Sequence, residues 1–170
     1  MRRRRGRPAA RAPAALKVSR PLVCTDTGLV ATGLVDTVAG TLTDAVIFDG
    51  TPANPTEDAV MAALALYREK DCDGIVGFGG GSSLDLAKAV RLLTGHEPPL
   101  AQYTAINGGS ANIHGDIAPL IAIPTTAGTG SEVGCASVII GNERSKLTRF
   151  QRLNLTQPTR YKAPRRTALI

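Results

Sequence analysis

The stretch GIVGFGGGSSLDLAKAV, residues 74–90, limits the fold more than any other part of the chain. GIVGF has the composition of a buried strand, while the segment from about Leu84 carries apolar residues at helical spacing. Between them the glycines at 77, 79, 80 and 81 take four of five successive positions, with Ser82 and Ser83 placed as N-caps for the helix. Glycines at that point let backbone N–H groups approach a ligand with no Cβ in the way. The free amides and the dipole of the helix start then attract an anion. A pyrophosphate fits such a turn, and so does a tight structural turn with no ligand. The string lacks the third glycine of G-x-G-x-x-G, since Ser82 stands there. Nor is it a P-loop, because Lys88 lies in the helix with no Ser or Thr after it.

Around this unit, short apolar runs alternate with amphipathic stretches, which predicts an α/β fold: a Rossmann-like parallel sheet flanked by helices. Strands are predicted at PLVCT (21–25), AVIF (45–48), GIVGF (74–78) and LIAI (120–123). GLVATGLVDTVAGTL and TEDAVMAALALYREK carry helical spacing, the second with Thr56 as N-cap and acids in its first turn. Residues 94–119 are rich in Gly, Pro and Asn and read as a long connection of the kind found beside sites.

The formal charge of +6 suggests a polyanion partner until it is divided by position. Eight of the twenty Lys and Arg lie in residues 1–20 and eight more in 143–170, whereas residues 21–142 hold four bases against 13 acids. An acidic body with basic ends argues against a nucleic-acid-binding protein that uses its arginine-rich ends, the first alternative reading. The start, MRRRRGRPAARAPAA, is read as a solvated tail, and no segment approaches the length of a membrane span. Cys24, Cys72 and Cys135 are too few and scattered for a disulfide framework or a zinc site. A reducing cytoplasm with all three as small buried side chains is the expectation. His96 and His114 lack ligand-like spacing and are expected at the surface.

A second loop, IPTTAGTGSEV at 123–133, again follows an apolar strand and crowds Gly and hydroxyl residues at its end. Two such loops at one sheet edge make a cleft. Here the residues carry a resemblance: GGGSSLDLAK together with APLIAIPTTAGTGSEV resembles the nucleotide-binding half of the iron-containing alcohol dehydrogenase family. TDTGL at Asp26, FDGTPANPTE from Phe48 and ERSK ending at Lys146 fit the same family, so the resemblance covers roughly residues 18–147.

That resemblance implies a set of cofactor contacts. The pyrophosphate would lie on Gly79, Gly80, Gly81 and Ser82, in agreement with the glycine argument. Asp26, at the end of the first strand, would accept hydrogen bonds from the adenosine ribose and repel a 2′-phosphate, favouring NAD over NADP; a plain turn-forming Asp is the alternative. Asn54, Thr125, Thr126 and Thr129 match nucleotide contacts of the family, and Lys146 a lysine near the ribose. Asp85 matches a residue used beside the cofactor, against the alternative of an acid near the helix start paired with Lys88 three residues on. Gly128, Gly130, Ser131 and Glu132 are read as shaping the second loop, with Ser131 and Glu132 bonding nearby backbone N–H groups.

Enzymes of the family pass a hydride between an alcohol or aldehyde and the nicotinamide, with a divalent iron held by one Asp and three His of a second, all-helical domain. This sequence has two histidines, both upstream of the TTAGTGSE loop, so that metal-binding domain is read as lacking. The basic stretch after Lys146 departs from the family pattern and is read as an altered frame or a truncated product. The expected organisation is a basic tail at 1–17, a dinucleotide-binding domain at 18–147 and an irregular basic tail at 148–170. The chain alone is expected to bind cofactor without turnover, and to pair with another chain or a second copy through apolar surface. A non-catalytic nucleotide-binding module is the second alternative.

Overall fold

The computed structural model describes residues 18–105, 108–114 and 117–141, and the backbone of the strand at 151–154. The basic tail at 1–17, Lys146 and most of 148–170 lie outside the described residues.

Four strands form one parallel sheet in the order β2-β1-β3-β4: β1 Pro21–Cys24, β2 Val46–Phe48, β3 Gly74–Gly79 and β4 Leu120–Pro124. All four predicted strands are present. β3 is buried at every position, because it lies inside the sheet with helices on both faces. Side chains alternate between those faces along each strand. Leu22, Cys24 and Ile75 enter a core with α3 (Glu57–Glu69) and α4 (Gly81–Thr94). Val23, Val76, Phe78 and Ile121 face the other way, against α1 (Thr27–Ala31) and α2 (Leu34–Ala39). Gly77 falls on the α4 side, where a Cβ would lie 3.0 Å from the Ala87 methyl carbon. The third glycine position of the turn motif is thus replaced by a close approach further back in the strand.

The long helical pattern after Asp26 is interrupted. It forms two short helices, because Gly33 adopts φ 73° between them and turns the chain into the left-handed region. α3 matches its prediction to within a residue, capped by Thr56, whose Oγ1 accepts from the Ala59 N–H at 3.2 Å.

α4 is the most buried helix. Nine of its fourteen residues are buried, including Lys88, so it is covered all round and not only on its sheet side. The covering comes from β5 (Ala136–Ile139), which pairs antiparallel with β6 (Gln151–Asn154) in a separate two-stranded sheet. β6 falls within the segment expected to be irregular, and its backbone is a strand there. β5 is fastened at its far end as well, since the Glu57 N–H donates to Ile140 O and the Ile140 N–H to Pro55 O, both at 2.9 Å.

The 94–119 connection is a folded segment with two 3-10 turns, at Leu100–Tyr103 and Gly109–Asn112, that bury Leu100, Tyr103 and Ile113 in the main core. Glu57 Oε1 accepts from the Leu100 N–H at 3.0 Å. His96 is buried, contrary to the surface position expected of it. Its Nδ1 lies 2.9 Å from Leu92 O, and its Nε2 accepts from the His114 N–H at 2.9 Å. With Nε2 an acceptor, the proton belongs on Nδ1, which donates to the Leu92 carbonyl at the end of α4. His114 itself is exposed, as expected. Cys24 and Cys72 are buried, but Cys135 is exposed on the loop before β5. No helix among the described residues is long and apolar enough to cross a membrane.

Candidate functional site

Three helices begin at the edge formed by the C-terminal ends of the strands, and they are finished differently. α1 is capped by Asp26, whose Oδ1 accepts from the Leu29 N–H at 2.9 Å, and α3 by Thr56. α4 starts at Gly81, with Gly80 at its N-cap and no side-chain cap bond. Its first intrahelical bond is from the Leu84 N–H to Gly80 O at 3.2 Å, so the amides of Gly81, Ser82 and Ser83 have no carbonyl one turn back to bond.

The helix therefore begins three residues before the predicted Leu84, and the serines are not its caps. Ser83 is buried, and the Ser82 hydroxyl donates to Ala53 O, tying the turn to the segment after β2. Asp85 is consequently the fifth residue of α4, beyond the first turn, and its charge is held sideways by Lys88, Ser131 and the Val138 N–H, not by the helix start.

The glycines are required for two separate reasons. Gly79 has φ 150°, and a Cβ there would lie 2.5 Å from Ser83 Oγ, so this position needs glycine for the backbone to turn. Gly80 has φ −74°, which any residue adopts, and a Cβ would meet nothing closer than Thr126 Oγ1 at 3.6 Å. The fold does not demand glycine at 80; the space above it is open.

Two cavities flank this turn, and Ser82 lines both. One, of about 600 Å³, is bordered by Asp26, Thr51, Gly80, Ser83, Thr125 and Thr126 among others. The other, of about 630 Å³, is bordered by Asn54, Gly81, Asp85, Thr129, Ser131 and Val138 among others. The two loops meet over the glycine turn as expected: the Thr125 N–H donates to Gly79 O at 2.9 Å, while Thr129 stands beside Gly81. Of the candidate residues, Asp26, Asn54, Gly80, Gly81, Ser82, Asp85, Thr125, Thr126 and Thr129 line this double groove. Gly79 lies beneath it as a turn residue, and Lys146 lies outside the described residues.

Asp26 spends one oxygen on the α1 cap, and its Oδ2 is 3.5 Å from where a Gly79 Cβ would stand, so the carboxylate reaches toward the glycine turn. Turn former and groove residue are the same side chain. Thr51, on the same cavity, has a buried hydroxyl oxygen with no hydrogen-bond partner, an orphan that composition gave no reason to notice.

Asp85 and Lys88 form the expected i,i+3 pair, Nζ to Oδ1 at 3.3 Å, but both are largely buried, with side chains 16% and 6% exposed. Ser131 Oγ completes a triangle, donating to Asp85 Oδ1 at 2.5 Å and accepting from Lys88 Nζ at 2.8 Å. The expected bonding of Ser131 to backbone N–H groups is replaced by these side-chain bonds, because α4 passes directly behind the loop. Burial pushes the Cys24 thiol well above its ordinary range, so this cysteine beneath the groove is an apolar filler and not a nucleophile.

An open parallel sheet with a groove across its C-terminal strand ends is the α/β class whose ligands lie at that edge. Within that class the chain belongs to the iron-containing alcohol dehydrogenase family, whose sequence model matches residues 6–157. The match begins before and ends after the stretch where the motifs are recognisable. The chain is 50% identical over 134 residues to the 4-hydroxybutyrate dehydrogenase of Cupriavidus necator, covering 76% of this chain and 35% of that protein. It is 42% identical over 135 residues to the choline dehydrogenase of Bacillus subtilis, covering 77% and 33%. Among solved structures it resembles 1,3-propanediol oxidoreductase with a TM-score of 0.73 at 31% identity, over 85% of this chain and 37% of that one. Sulfoacetaldehyde reductase from Bifidobacterium kashiwanohense, solved in complex with NAD+, gives a TM-score of 0.72 at 26% identity, over 86% and 38%. The chain thus spans about a third of the length of the curated relatives it matches.

Proposed function

We propose that this chain supplies the cofactor-binding part of an NAD-preferring alcohol dehydrogenase of the iron-containing family, acting on a small alcohol or aldehyde. The single observation that carries the reading is the uncapped start of α4: of the helices that begin beside Asp26, Thr56 and Gly80, only this one has no side-chain cap, and it starts under an open glycine. A pyrophosphate on Gly80, Gly81 and Ser82 satisfies those donors and is held by the helix dipole.

The groove fits the rest of a dinucleotide. In this reading the adenosine half lies in the cavity with Asp26, where a free carboxylate oxygen accepts from ribose hydroxyls and disfavours a 2′-phosphate. The orphaned Thr51 hydroxyl borders the same cavity. The nicotinamide half then extends into the cavity with Asn54, Asp85 and Thr129. When bound, the nicotinamide supplies the hydride-exchanging carbon; the residues of this chain bind and orient it. Among the described residues no three His, Cys, Asp or Glu side chains gather as a metal site, so these residues do not fit the family's iron and are given no metal role.

Isothermal titration of the chain with NAD, NADP and ADP tests the reading. NAD and ADP are expected to bind and NADP at least about tenfold more weakly than NAD, the cost of one unfavourable charge contact. Equal, negligible affinity for all three would end it.

A further inference from the structure

The two cavities are walled in different ways. The one at Asp26 is built from residues that follow directly on β1, β2, β3 and β4, so the parallel sheet fixes its shape. The one at Asn54 takes half its lining from Thr129–Val138, a stretch whose loop portion turns on two backbone bonds of its own, from the Val133 N–H and the Gly134 N–H to Gly130 O, at 3.1 and 2.9 Å. That wall is instead fastened to α4 by side chains. Lys88 Nζ donates to Asp85 Oδ1, to Ser131 Oγ and to Ala136 O, the last two at 2.8 Å. Asp85 Oδ2 accepts from the Val138 N–H at 3.1 Å, and the Asp85 carbonyl from Ser137 Oγ at 2.7 Å.

Each ammonium proton of Lys88 has an acceptor, and Ser131 Oγ both donates and accepts. A buried charge so fully matched is rigid, and it has two ways to lose its geometry, removal of a charge or removal of the bridging hydroxyl. Lys88 itself lines neither cavity.

We propose that the Asp85–Ser131–Lys88 triangle is a latch that holds the far wall of the Asn54 cavity against α4. Lys88 and Ser131 thereby set the affinity for the nicotinamide half of the cofactor and leave the adenosine half unaffected. Lys88 is a positioning residue in this account, acting through Ser131, Asp85 and the Ala136 carbonyl. The proposal rests on the dinucleotide reading above.

The test compares two probes on the full chain by calorimetry: ADP, which reaches the Asp26 cavity and the glycine turn, and NAD, which extends into both cavities. Ser131→Ala removes the bridging hydroxyl while leaving the charge pair, and is expected to weaken NAD about tenfold while ADP stays within about twofold, the scale of one or two charge-assisted hydrogen bonds. Lys88→Met is expected to give the same asymmetry, larger. If that variant does not fold by circular dichroism, Ser131→Ala decides alone. Ser131→Thr restores the hydroxyl and is expected to restore NAD affinity, which a merely destabilised loop would not do. NAD and ADP weakening in equal proportion in Ser131→Ala, or neither weakening, would overturn the latch while leaving the cofactor reading standing. Wild-type chain binding neither probe would overturn both.

Discussion

The two halves of the groove are built on opposite principles. On the Asp26 side, most lining residues sit within five positions of the ends of paired strands, so hydrogen bonds between β1, β2, β3 and β4 carry the geometry, and no buried charge pair is needed. On the Asn54 side, the wall comes from a loop and from β5, outside the main sheet, and a buried ion pair with a serine bridge holds it. A sheet edge tolerates the loss of a side chain, whereas a side-chain latch fails at once when one member goes. The comparison teaches where this molecule is vulnerable: its backbone-built half should be robust, and its side-chain-built half sensitive.

The largest effect that could break the comparison is on stability. Lys88→Met leaves the Asp85 carboxylate buried beside Ser131 without its cation, and is expected to cost about 3–5 kcal/mol in urea unfolding. Adding Asp85→Asn should recover a large part of that loss. A cost under about 1 kcal/mol would mean water reaches the pair and the latch is an ordinary surface contact.

Next come the helix caps, one on each side of the groove: Asp26 borders the sheet-built cavity, and Thr56 follows Asn54 and Pro55 of the other. Thr56→Ala should cost about 1 kcal/mol by removing the α3 cap, with no change in nucleotide affinity. Asp26→Asn separates the two duties of its side chain. Asparagine caps a helix as well as aspartate, so stability is expected to stay within about 0.5 kcal/mol. The preference for NAD over NADP should meanwhile fall, because the charge that repels a 2′-phosphate is gone. Unchanged discrimination would make Asp26 a cap and nothing more.

The smallest effect is a matter of rates. Cys135 stands exposed on the loop of the latched half, while Cys24 is fully buried under the sheet-built half, with its thiol pushed up by desolvation and, secondarily, by Cys72. Iodoacetamide with mass-spectrometric mapping is expected to modify Cys135 at once and Cys24 only after denaturant is added. Prompt labelling of Cys24 would show that the sheet-built half opens more readily than its backbone pairing implies.

What could be read beforehand follows the same division. The strands were legible because each is a short apolar run that the sheet buries, and the glycine turn because its conformation is local. The apolar spacing continues across Gly33, so only its backbone angle marks the break between α1 and α2. Serine is a frequent cap and so suggests a start near Leu84, whereas here the extended Gly80 takes the N-cap place and the Ser82 hydroxyl, inside the first turn, donates to Ala53 O, 29 positions earlier. Burial of Lys88 and His96 was invisible for a related reason. Their partners, Ala136 O and the His114 N–H, stand 48 and 18 residues away, and nothing in helical periodicity announces a strand that arrives later to cover a helix. The two loops and the turn that line much of the groove were thus legible, but not Thr51 or Val138, nor the way half of the lining is held.

The central claim is that the amides at the start of α4 are left open for a phosphate-bearing ligand, and Gly80→Ala is its most direct test. The backbone at Gly80 suits alanine and the new methyl has room beside Thr126, so the variant should fold with stability within about 1 kcal/mol of wild type. The methyl occupies the space the pyrophosphate needs, so calorimetric affinity for both NAD and ADP is predicted to fall at least about tenfold. A folded Gly80→Ala chain that binds both ligands as wild type does would contradict the account.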